Sequence, residues 1–448
     1  MTDRRYRCYL GTLVILGLAL RVGLAAVQGL NIAPEPGSDQ QEYDTYAWNV
    51  AQGRGYRGMS ADVADQDHLT AFRPPGTSLA WAAVYRVVGH RYDAVRLLHC
   101  LASTLTILLV YEIGRRVFSP GVGLLAAAGY SIYPTAILFS AQLLSEPLGT
   151  FWFLCSLAMC LRFADRPSWG RSVAAGILLG VSLLTRPHAT FMTPLIGVWV
   201  LWQFRDDRRA LLEGLAIPGA CLATMTPWAV RNYLVFGAFI PISTLSGSGL
   251  LQGNNRIVAT DPRYYGYSIW DTKIPEYREA LRTAGDEIER DRRAKELALR
   301  WLRDHPDRWW YLARAKTVRA WTPFLQPSTP RYQRMGMLIS WGPVLSLFAL
   351  AFPLTLPGLL RRRRPGWLLH LAIVNNVILN LIFWGEARYR HSIEPICLIF
   401  AAQALAHLFA SDRPTAFGRR REGAEKRRAG PLATPLPAAG ADLQEMRR

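Results

Sequence analysis

The stretch LGTLVILGLALRVGLAAVQGL, residues 10–30, decides the fold. It is apolar along almost its whole length, and a helix needs about 20 such residues to span a bilayer. A second stretch of this kind, VGLLAAAGYSIYPTAILFS, occupies residues 122–140, and further apolar runs recur along the 448 residues. The sequence therefore predicts an all-α polytopic membrane protein.

The number of spans follows from the apolar runs. A shorter apolar piece at residues 76–89 contains Arg86, and its length is short for a span, so we expect an interfacial or re-entrant helix there. The remaining runs predict ten transmembrane helices, at residues 10–28, 94–113, 121–139, 146–162, 172–185, 189–204, 211–230, 336–359, 366–385 and 392–410.

The basic balance of the chain has a membrane explanation. The formal net charge is +19, which by itself could indicate a nucleic-acid partner. The arginines cluster between apolar runs, however, where Lys and Arg mark the cytoplasmic side, so we expect membrane lipids as partners and no nucleic acid. The six cysteines fall in or beside apolar runs without CxxC spacing, which is typical of small buried hydrophobic residues.

Loop charge also predicts the orientation. In the ten-span arrangement one side of the membrane receives all the arginine-rich connections, at residues 1–7, 114–120, 162–171, 205–209, 361–364 and from 412 onward. This side is expected to be cytoplasmic and to hold both termini. The first apolar run is too long for a signal-peptide core, so we expect it to be retained. The protein is thus expected in the inner (plasma) membrane with an extracytoplasmic working face.

The same arrangement divides the chain into two parts. Residues 1–410 are expected to form one membrane body, with a first outer loop at 31–92 and a large outer loop at 231–334. In the large loop, residues 275–306 have apolar residues near helical spacing, which predicts an amphipathic helix or a pair of helices lying against the body. Residues 411–448 lack periodicity and are predicted to be a disordered, basic, cytoplasmic tail.

Two acids on the expected outer face are candidate catalytic residues. Asp39 shares a helical face with Tyr43, just beyond the first span. Asp39 with Glu42 also fits a capping box, which would be a purely structural role. Glu146 begins an apolar helix, where it could interact with the helix dipole, but acids at the membrane edge favour a functional role.

Arginines on the same face are candidate phosphate ligands. The guanidinium group offers a planar fork of donors that matches phosphate oxygens. Each arginine taken alone could equally be a snorkelling anchor at the membrane edge. The candidates are Arg73, Arg186, Arg231, Arg388 and Arg390.

Acids and phosphate-binding cations on one face point to sugar transfer from a polyprenyl phosphate. A carboxylate would accept the proton of the attacking hydroxyl, and cations would hold the departing phosphate. The alternative is a transporter or flippase of a lipid-linked sugar, whose site would lie near the midplane between repeated halves. The sequence contains no internal repeat, and its polar residues gather at one face. An assembly subunit with a vestigial site is a third possibility.

Several motifs in order resemble one family. The chain resembles the GT-C superfamily of membrane glycosyltransferases, most closely the glycosyltransferase family 39 group of protein O-mannosyltransferases and aminoarabinose transferases. The likeness runs from about residue 10 to 410, and these segments carry it: DQQEYDTYA (39–47), GRGY (53–56), FRPPGTSL (72–79), IYP (132–134), LLSE (143–146), TRP (185–187), PWAVRN (227–232), GNN (253–255) and EARYRHSIEP (386–395).

The resemblance implies a GT-C fold and a hexosyl- or pentosyltransferase that uses a polyprenyl-phosphate sugar. It implies that Asp39 is the general base and that Glu146 is the second acidic position. Arg388 and Arg390 would contact the donor phosphate, with Tyr389 between them. Transfer by one direct displacement would invert the anomeric carbon.

The remaining expected substrate-binding residues are Tyr43, Arg73 and Arg186. Two departures from the family leave the acceptor open among protein, lipid and cell-envelope glycan. Asp39 is followed by Gln40, whereas the protein mannosyltransferases usually carry an adjacent Asp-Glu pair. Nothing in residues 231–334 has the repeated strands of their soluble domain.

A divalent metal is possible but is assigned no site. His68 follows three acids in SADVADQDH, which together offer oxygen and nitrogen ligands. Acids in an exposed loop are more often simply solvated, and we therefore expect no metal-ligating residues. The acids are Asp62, Asp65 and Asp67.

Overall fold

The computed structural model describes residues 3–58, 68–322, 331–361 and 364–409. These residues are mainly helical, and they contain an isolated β-bridge between Arg57 and Leu69 but no strand. The helices are α1 (Asp3–Gln28), α2 (Asp39–Ala51), α3 (Pro75–Val88), α4 (Tyr92–Val117), α5 (Pro120–Ser131), α6 (Pro134–Ser140), α7 (Glu146–Asp165), α8 (Trp169–Thr185), α9 (Met192–Gln203), α10 (Arg208–Phe236), α11 (Ser246–Gly253), α12 (Arg256–Thr260), α13 (Pro275–Arg282), α14 (Glu287–Asp304), α15 (Trp309–Trp321), α16 (Arg331–Arg361), α17 (Leu368–Ile382) and α18 (Glu394–Phe409).

The polytopic all-α fold class is confirmed, but fewer helices have the full length of a span than the sequence predicted. In the described part of the chain, seven helices are long and apolar enough to cross a membrane, or eight if α5 and α6 form one bent span. The predicted spans at residues 172–185 and 189–204 are shorter helices, α8 and α9. The seven are Arg4–Gln28, Tyr92–Val117, Glu146–Asp165, Arg208–Phe236, Trp341–Leu360, Pro365–Ile382 and Ala387–Phe409.

The span predicted at residues 121–139 is broken into α5 and α6, which meet at an angle of 54°. The cause lies at Pro134. Proline has no amide hydrogen to donate and disfavours helical backbone at the preceding residue. Tyr133 is accordingly extended, with φ −69° and ψ 120°. This proline belongs to the motif IYP (132–134), whose effect on the helix the sequence analysis did not predict.

A buried arginine of α1 binds the end of α5 at this break. The guanidinium group of Arg21 donates to the carbonyls of Ser131 at 3.0 Å and Tyr130 at 3.2 Å, and its Nε donates to Ser103 Oγ at 2.8 Å. Carbonyls at the C-terminus of a helix lack intrahelical partners and attract a cation. Arg21 therefore stabilises the break between α5 and α6.

The two loops predicted to be outer, at residues 31–92 and 231–334, contain helices of their own. The first loop contains α2 and α3, and the large loop contains α11 to α15. The amphipathic segment predicted at residues 275–306 is a pair of helices, α13 and α14. Glu287, the first residue of α14, accepts hydrogen bonds from Thr70 Oγ1 at 2.6 Å and from the amide of Ala71 at 2.7 Å. The large loop is thereby attached to the segment that leads into Arg73.

Helix α15 is locked against the end of α17. Lys316 is 1% exposed, and its Nζ donates to Asn254 Oδ1 at 2.7 Å and to the carbonyl of Leu381 at 3.0 Å. Burial lowers the pKa of Lys316 to about 7. Because burial disfavours the charged form, Lys316 is close to losing its proton at neutral pH.

The chain divides into a large unit at residues 1–406 and a short one at 407–448. The large unit contains nearly all of the predicted membrane body. The predicted disordered tail at residues 411–448 lies outside the described residues, so its disorder stays a prediction.

Replacing Arg21 tests its contribution to the fold. Arg21→Met leaves the carbonyls at the end of α5 without their donor, and we expect a loss of at least about 2 kcal/mol of stability. The measurement is the unfolding midpoint in detergent. Arg300→Met, at an exposed position of α14, is the control, and equal midpoints for the two variants would contradict this role.

Lys316 predicts a pH dependence of stability. Between about pH 7 and its ordinary pKa of 10.5, the lysine is protonated in the unfolded chain and neutral in the folded one. Stability of the wild type should therefore rise with pH across this window relative to Lys316→Met, by at most about 1.4 kcal/mol per pH unit. Unfolding midpoints at pH 7 to 10 measure this. Lys295→Met, at an exposed position, should keep the wild-type slope. Parallel curves for wild type and Lys316→Met would contradict the prediction.

Candidate active site

Asp39 is the first residue of α2, and its carboxylate binds two arginines. The helix N-cap is Ser38, whose hydroxyl accepts from the amide of Gln41, so Asp39 does not have the capping role considered from the sequence. Arg73 Nη2 donates to Asp39 Oδ1 at 2.7 Å, and Arg388 Nη1 donates to Oδ2 at 3.0 Å. Both oxygens therefore face guanidinium groups.

Arg73 connects Asp39 to a second acid of the same helix. Its Nε donates to Glu42 Oε2 at 2.6 Å, and its guanidinium group lies 5.7 Å from the centre of the Tyr43 ring. Asp39 and Glu42 stand three residues apart, so both lie on the face of α2 that Arg73 contacts. Tyr43 is buried beneath this cation.

Glu146 is fully buried at the first residue of α7. Its carboxylate contacts two arginines: Arg388, through a hydrogen bond from Nε, and Arg186, whose Nη1 lies 2.9 Å from Oε1. Because Arg388 also binds Asp39, one guanidinium group bridges the two acids that the sequence singled out. These three residues come from widely separated parts of the chain.

Arg186, the second arginine that contacts Glu146, follows directly after α8. Its guanidinium group lies 4.9 Å from the centre of the Tyr389 ring and donates to Ser145 Oγ at 3.1 Å. Gly149 of α7 permits this approach, because a Cβ there would lie 3.1 Å from that of Arg186. The arginine is thus held between α7 and the segment before α18.

Arg390 has a different environment from Arg388. Its Nη1 donates to the carbonyls of Ala320 and Thr322, and its Nε lies 3.4 Å from Glu394 Oε1. Residues 387–393 form a 3₁₀ helix, in which three residues make a turn, so positions 388 and 390 point in different directions. The structure does not bring Arg390 to Asp39.

The acids and arginines of the cluster balance in charge. Burial opposes ionisation of Asp39, but the charges of Arg73 and Arg388 outweigh it and hold the pKa of Asp39 well below its usual range. Asp39 is therefore a carboxylate at neutral pH. The cluster consists of three carboxylates, Asp39, Glu42 and Glu146, and three guanidinium groups, Arg73, Arg186 and Arg388.

Of the eight predicted site residues, the structure brings seven together and leaves Arg390 apart; their roles stay predictions. Arg231, the other candidate cation, donates to the carbonyls of Thr70 and Tyr56 and so binds the backbone of the first outer loop. The seven are Asp39, Tyr43, Arg73, Glu146, Arg186, Arg388 and Tyr389.

Two residues near the cluster were not predicted. Glu386 lies two positions before Arg388, and Tyr267 of the large loop donates its hydroxyl to Glu386 Oε1 at 2.8 Å. Burial raises the pKa of Glu386, against the opposing charge of Arg388. Glu386 stands inside the motif EARYRHSIEP, but its spacing does not distinguish it from the other charged residues there. Nothing in the sequence around Tyr267 indicates a functional residue.

The possible metal site receives no support from the described side chains. Among them, no group of three or more His, Cys, Asp or Glu residues is arranged to hold a metal ion. His68 Nε2 lies 3.8 Å from Glu287 Oε2. The acids Asp62, Asp65 and Asp67 lie outside the described residues, so the expectation for that loop stays a prediction.

Part of the chain matches a known protein family. Residues 72–229 match the family described as dolichyl-phosphate-mannose-protein mannosyltransferase. The match includes three residues of the cluster, Arg73, Glu146 and Arg186, which lie in three different segments of the chain. The resemblance expected from the sequence is thereby confirmed.

A curated relative is similar to part of the chain. An undecaprenyl phosphate-α-4-amino-4-deoxy-L-arabinose arabinosyl transferase of Pseudomonas aeruginosa (strain UCBPP-PA14) is 28% identical over 151 residues. The matched region covers 32% of this chain and 27% of that relative.

Solved structures confirm the GT-C fold. The oligosaccharyltransferase of Archaeoglobus fulgidus in its apo form is similar at a TM-score of 0.60 and 15% identity, over 97% of this chain and 53% of that one. The oligosaccharyltransferase AglB of the same archaeon, in complex with an inhibitory peptide and a dolichol-phosphate, is similar at a TM-score of 0.57 and 14% identity, over 95% of this chain and 54% of that one. The chain therefore spans about half the length of these structures.

Replacing Glu146 tests how far the cluster depends on it. Glu146→Gln leaves Arg186 and Arg388 without a fully buried carboxylate, and breaking a buried pair in this way costs about 3–5 kcal/mol. We expect a larger drop in the unfolding midpoint than for Asp39→Asn, because the side chain of Asp39 is 23% exposed. Glu279→Gln, at an exposed surface pair, is the control. A midpoint for Glu146→Gln equal to that of the control would contradict the prediction.

Proposed function

We propose that this protein is an integral-membrane glycosyltransferase that moves a sugar from a polyprenyl phosphate to an acceptor hydroxyl on the extracytoplasmic side. The observation that carries the proposal is the bridge of Arg388 between Asp39 and Glu146. The family domain supports it, and so do the undecaprenyl phosphate in the name of the curated relative and the dolichol-phosphate in an archaeal structure.

Arg388 is the cation that a donor phosphate reaches first. Its side chain is 26% exposed, compared with 12% for Arg73 and 6% for Arg186. Guanidinium binds phosphate oxygens in the same planar, two-pronged way that it binds carboxylates. A donor phosphate would therefore compete with Asp39 for Arg388, while Arg186 continues to neutralise Glu146. Glu146 then orients Arg388 and takes no proton.

This exchange would activate Asp39 as a base. While Arg73 and Arg388 both bind Asp39, its pKa is low and its affinity for a proton is weak. A phosphate that neutralises Arg388 removes one of the positive charges that lower the pKa of Asp39, so this pKa rises toward the ordinary range. General-base efficiency increases with the basicity of the carboxylate. The base thus gains strength only when the donor is bound.

The chemical step is one displacement. The acceptor oxygen forms a bond to the anomeric carbon while its proton passes to Asp39. The bond between that carbon and the phosphate oxygen breaks, and its electron pair leaves with the phosphate held by Arg388. Attack from the face opposite the leaving group inverts the anomeric carbon. Phosphate is a competent leaving group, so no second acid is needed.

The proposed setting is the inner (plasma) membrane. Both termini would be cytoplasmic, and the first and large outer loops would place the site at the outer headgroup level with membrane lipids around it. The sugar is a hexose or pentose. The acceptor is a hydroxyl of a protein, a lipid or a cell-envelope glycan.

Asp39→Asn tests the base. With purified protein in lipid nanodiscs and polyprenyl-phosphate sugar donors, we expect turnover to fall about 10² to 10⁴-fold, the usual contribution of a general base. Binding of undecaprenyl phosphate should persist, since Arg388 remains. Asp93→Asn, which removes the charge that pairs with exposed Arg91, is the matched control. Unchanged turnover in Asp39→Asn would overturn the mechanism. Movement of labelled lipid between leaflets without a transfer product would favour a flippase.

A further inference from the structure

Glu386 differs from the other acids around Arg388. Asp39, Glu42 and Glu146 are each paired with arginines, whereas no ion pair joins Glu386 to a basic group among the described side chains. Its hydrogen-bond partner is the neutral hydroxyl of Tyr267. The arginines of the cluster are already engaged by the other three acids, so Glu386 is free to serve a ligand.

The backbone holds Glu386 and Tyr267 at fixed positions. Each follows a glycine, and the amide of Gly385 donates to the carbonyl of Gly266 at 2.9 Å. A Cβ on Gly266 would lie 2.2 Å from the carbonyl oxygen of Ala315, and one on Gly385 would lie 1.9 Å from that of Lys316. Both segments are thus pressed against the backbone of α15, an approach that only glycine permits. Functional groups on such rigid supports are preorganised.

Aromatic side chains lie beside this pair. Trp384 and Tyr389 meet edge to face at 5.4 Å, and Tyr389 carries the guanidinium group of Arg186 on its ring. Trp384, Glu386 and Tyr389 are each only partly buried, so each retains surface that a ligand can contact. Aromatic surface with a few fixed polar groups is typical of small-molecule sites.

We propose that Glu386 and Tyr267 form a subsite that binds a hydroxyl group of a sugar next to the phosphate held by Arg388. This inference rests on the proposed function. The hydroxyl of Tyr267 occupies Oε1 of Glu386, which leaves Oε2 and the phenol oxygen as acceptors for a ligand O–H. The sugar is that of the donor or that of a carbohydrate acceptor, since both present hydroxyl groups of the same chemistry.

The subsite lies beside the reacting centre. Glu386 is the N-cap residue of the 3₁₀ helix that contains Arg388, two residues later, and the charges of Arg388, Asp39 and Arg186 all act on Glu386. A group held there is a near neighbour of a phosphate on Arg388. Glu386 is in this view a specificity-determining residue, and Asp39 remains the base.

The experiment compares lipids with and without the sugar. Full-length protein in nanodiscs is titrated with undecaprenyl phosphate and with undecaprenyl-phosphate mannose or aminoarabinose, using the conjugate that the wild type binds more tightly than the bare lipid. If the subsite takes the donor sugar, Glu386→Gln weakens the conjugate about tenfold, as expected for a hydrogen bond to a charged group, and leaves the bare lipid unchanged. Tyr267→Phe shows a smaller loss of the same kind.

A second arm identifies an acceptor sugar. Single-turnover transfer is measured against the concentration of a carbohydrate acceptor, with lipid A as probe. If the subsite takes the acceptor, Glu386→Gln binds both lipids like the wild type but needs about tenfold more acceptor for half-maximal rate. Glu279→Gln and Tyr233→Phe, at exposed positions, are matched controls.

The two proposals fail in different ways. Glu386→Gln and Tyr267→Phe within twofold of the wild type in both arms would overturn the subsite. A wild type that binds the conjugate but yields no transfer product would overturn the proposed reaction, while the binding arm still decides for or against the subsite. A circular dichroism spectrum and unfolding midpoint like those of the wild type exclude misfolding of the variants as the cause.

Discussion

The site depends on one guanidinium group, that of Arg388, between the carboxylates of Asp39 and Glu146. Two carboxylates brought this close repel each other unless a cation stands between them, and the planar fork of arginine can bind both at once. Asp39 begins α2, Glu146 begins α7 and Arg388 precedes α18. One ion-pair arrangement therefore joins the first outer loop, the entrance of a central span and the last segment of the membrane body.

Structural and chemical explanations of the two acids are compatible. Each stands in the first turn of a helix, where the helix dipole stabilises a negative charge. The dipole accounts for why a carboxylate is tolerated at these positions, and the arginines account for why both carboxylates point into one cluster. A phosphate can use the same arginines because it has the charge and the oxygen geometry of the groups that it replaces.

Properties of short sequence segments predicted much of the fold and of the candidate site. Hydropathy predicted the all-helical membrane body. Acids and arginines between or beside apolar runs predicted five of the seven residues that meet, and the other two are Tyr43 and Tyr389. Properties set by distant partners were not predictable. The bend before Pro134 is held by Arg21 of another helix, and Arg390 turns away from Arg388 toward Glu394. That Glu386, unlike the neighbouring acids, has no arginine partner among the described side chains becomes evident only when their contacts are known.

Arg21 has a consequence for the order in which the protein is assembled. An arginine at the centre of a spanning helix opposes its insertion by about 2.5–3.5 kcal/mol. The leucines of α1 must outweigh a cost of up to this size for Arg21 when the helix emerges from the ribosome. The acceptors of Arg21 beyond its own helix belong to Ser103, Tyr130 and Ser131, which are synthesised much later. The guanidinium group of Arg21 therefore lacks its hydrogen-bond partners in other helices until α4 and α5 have been translated.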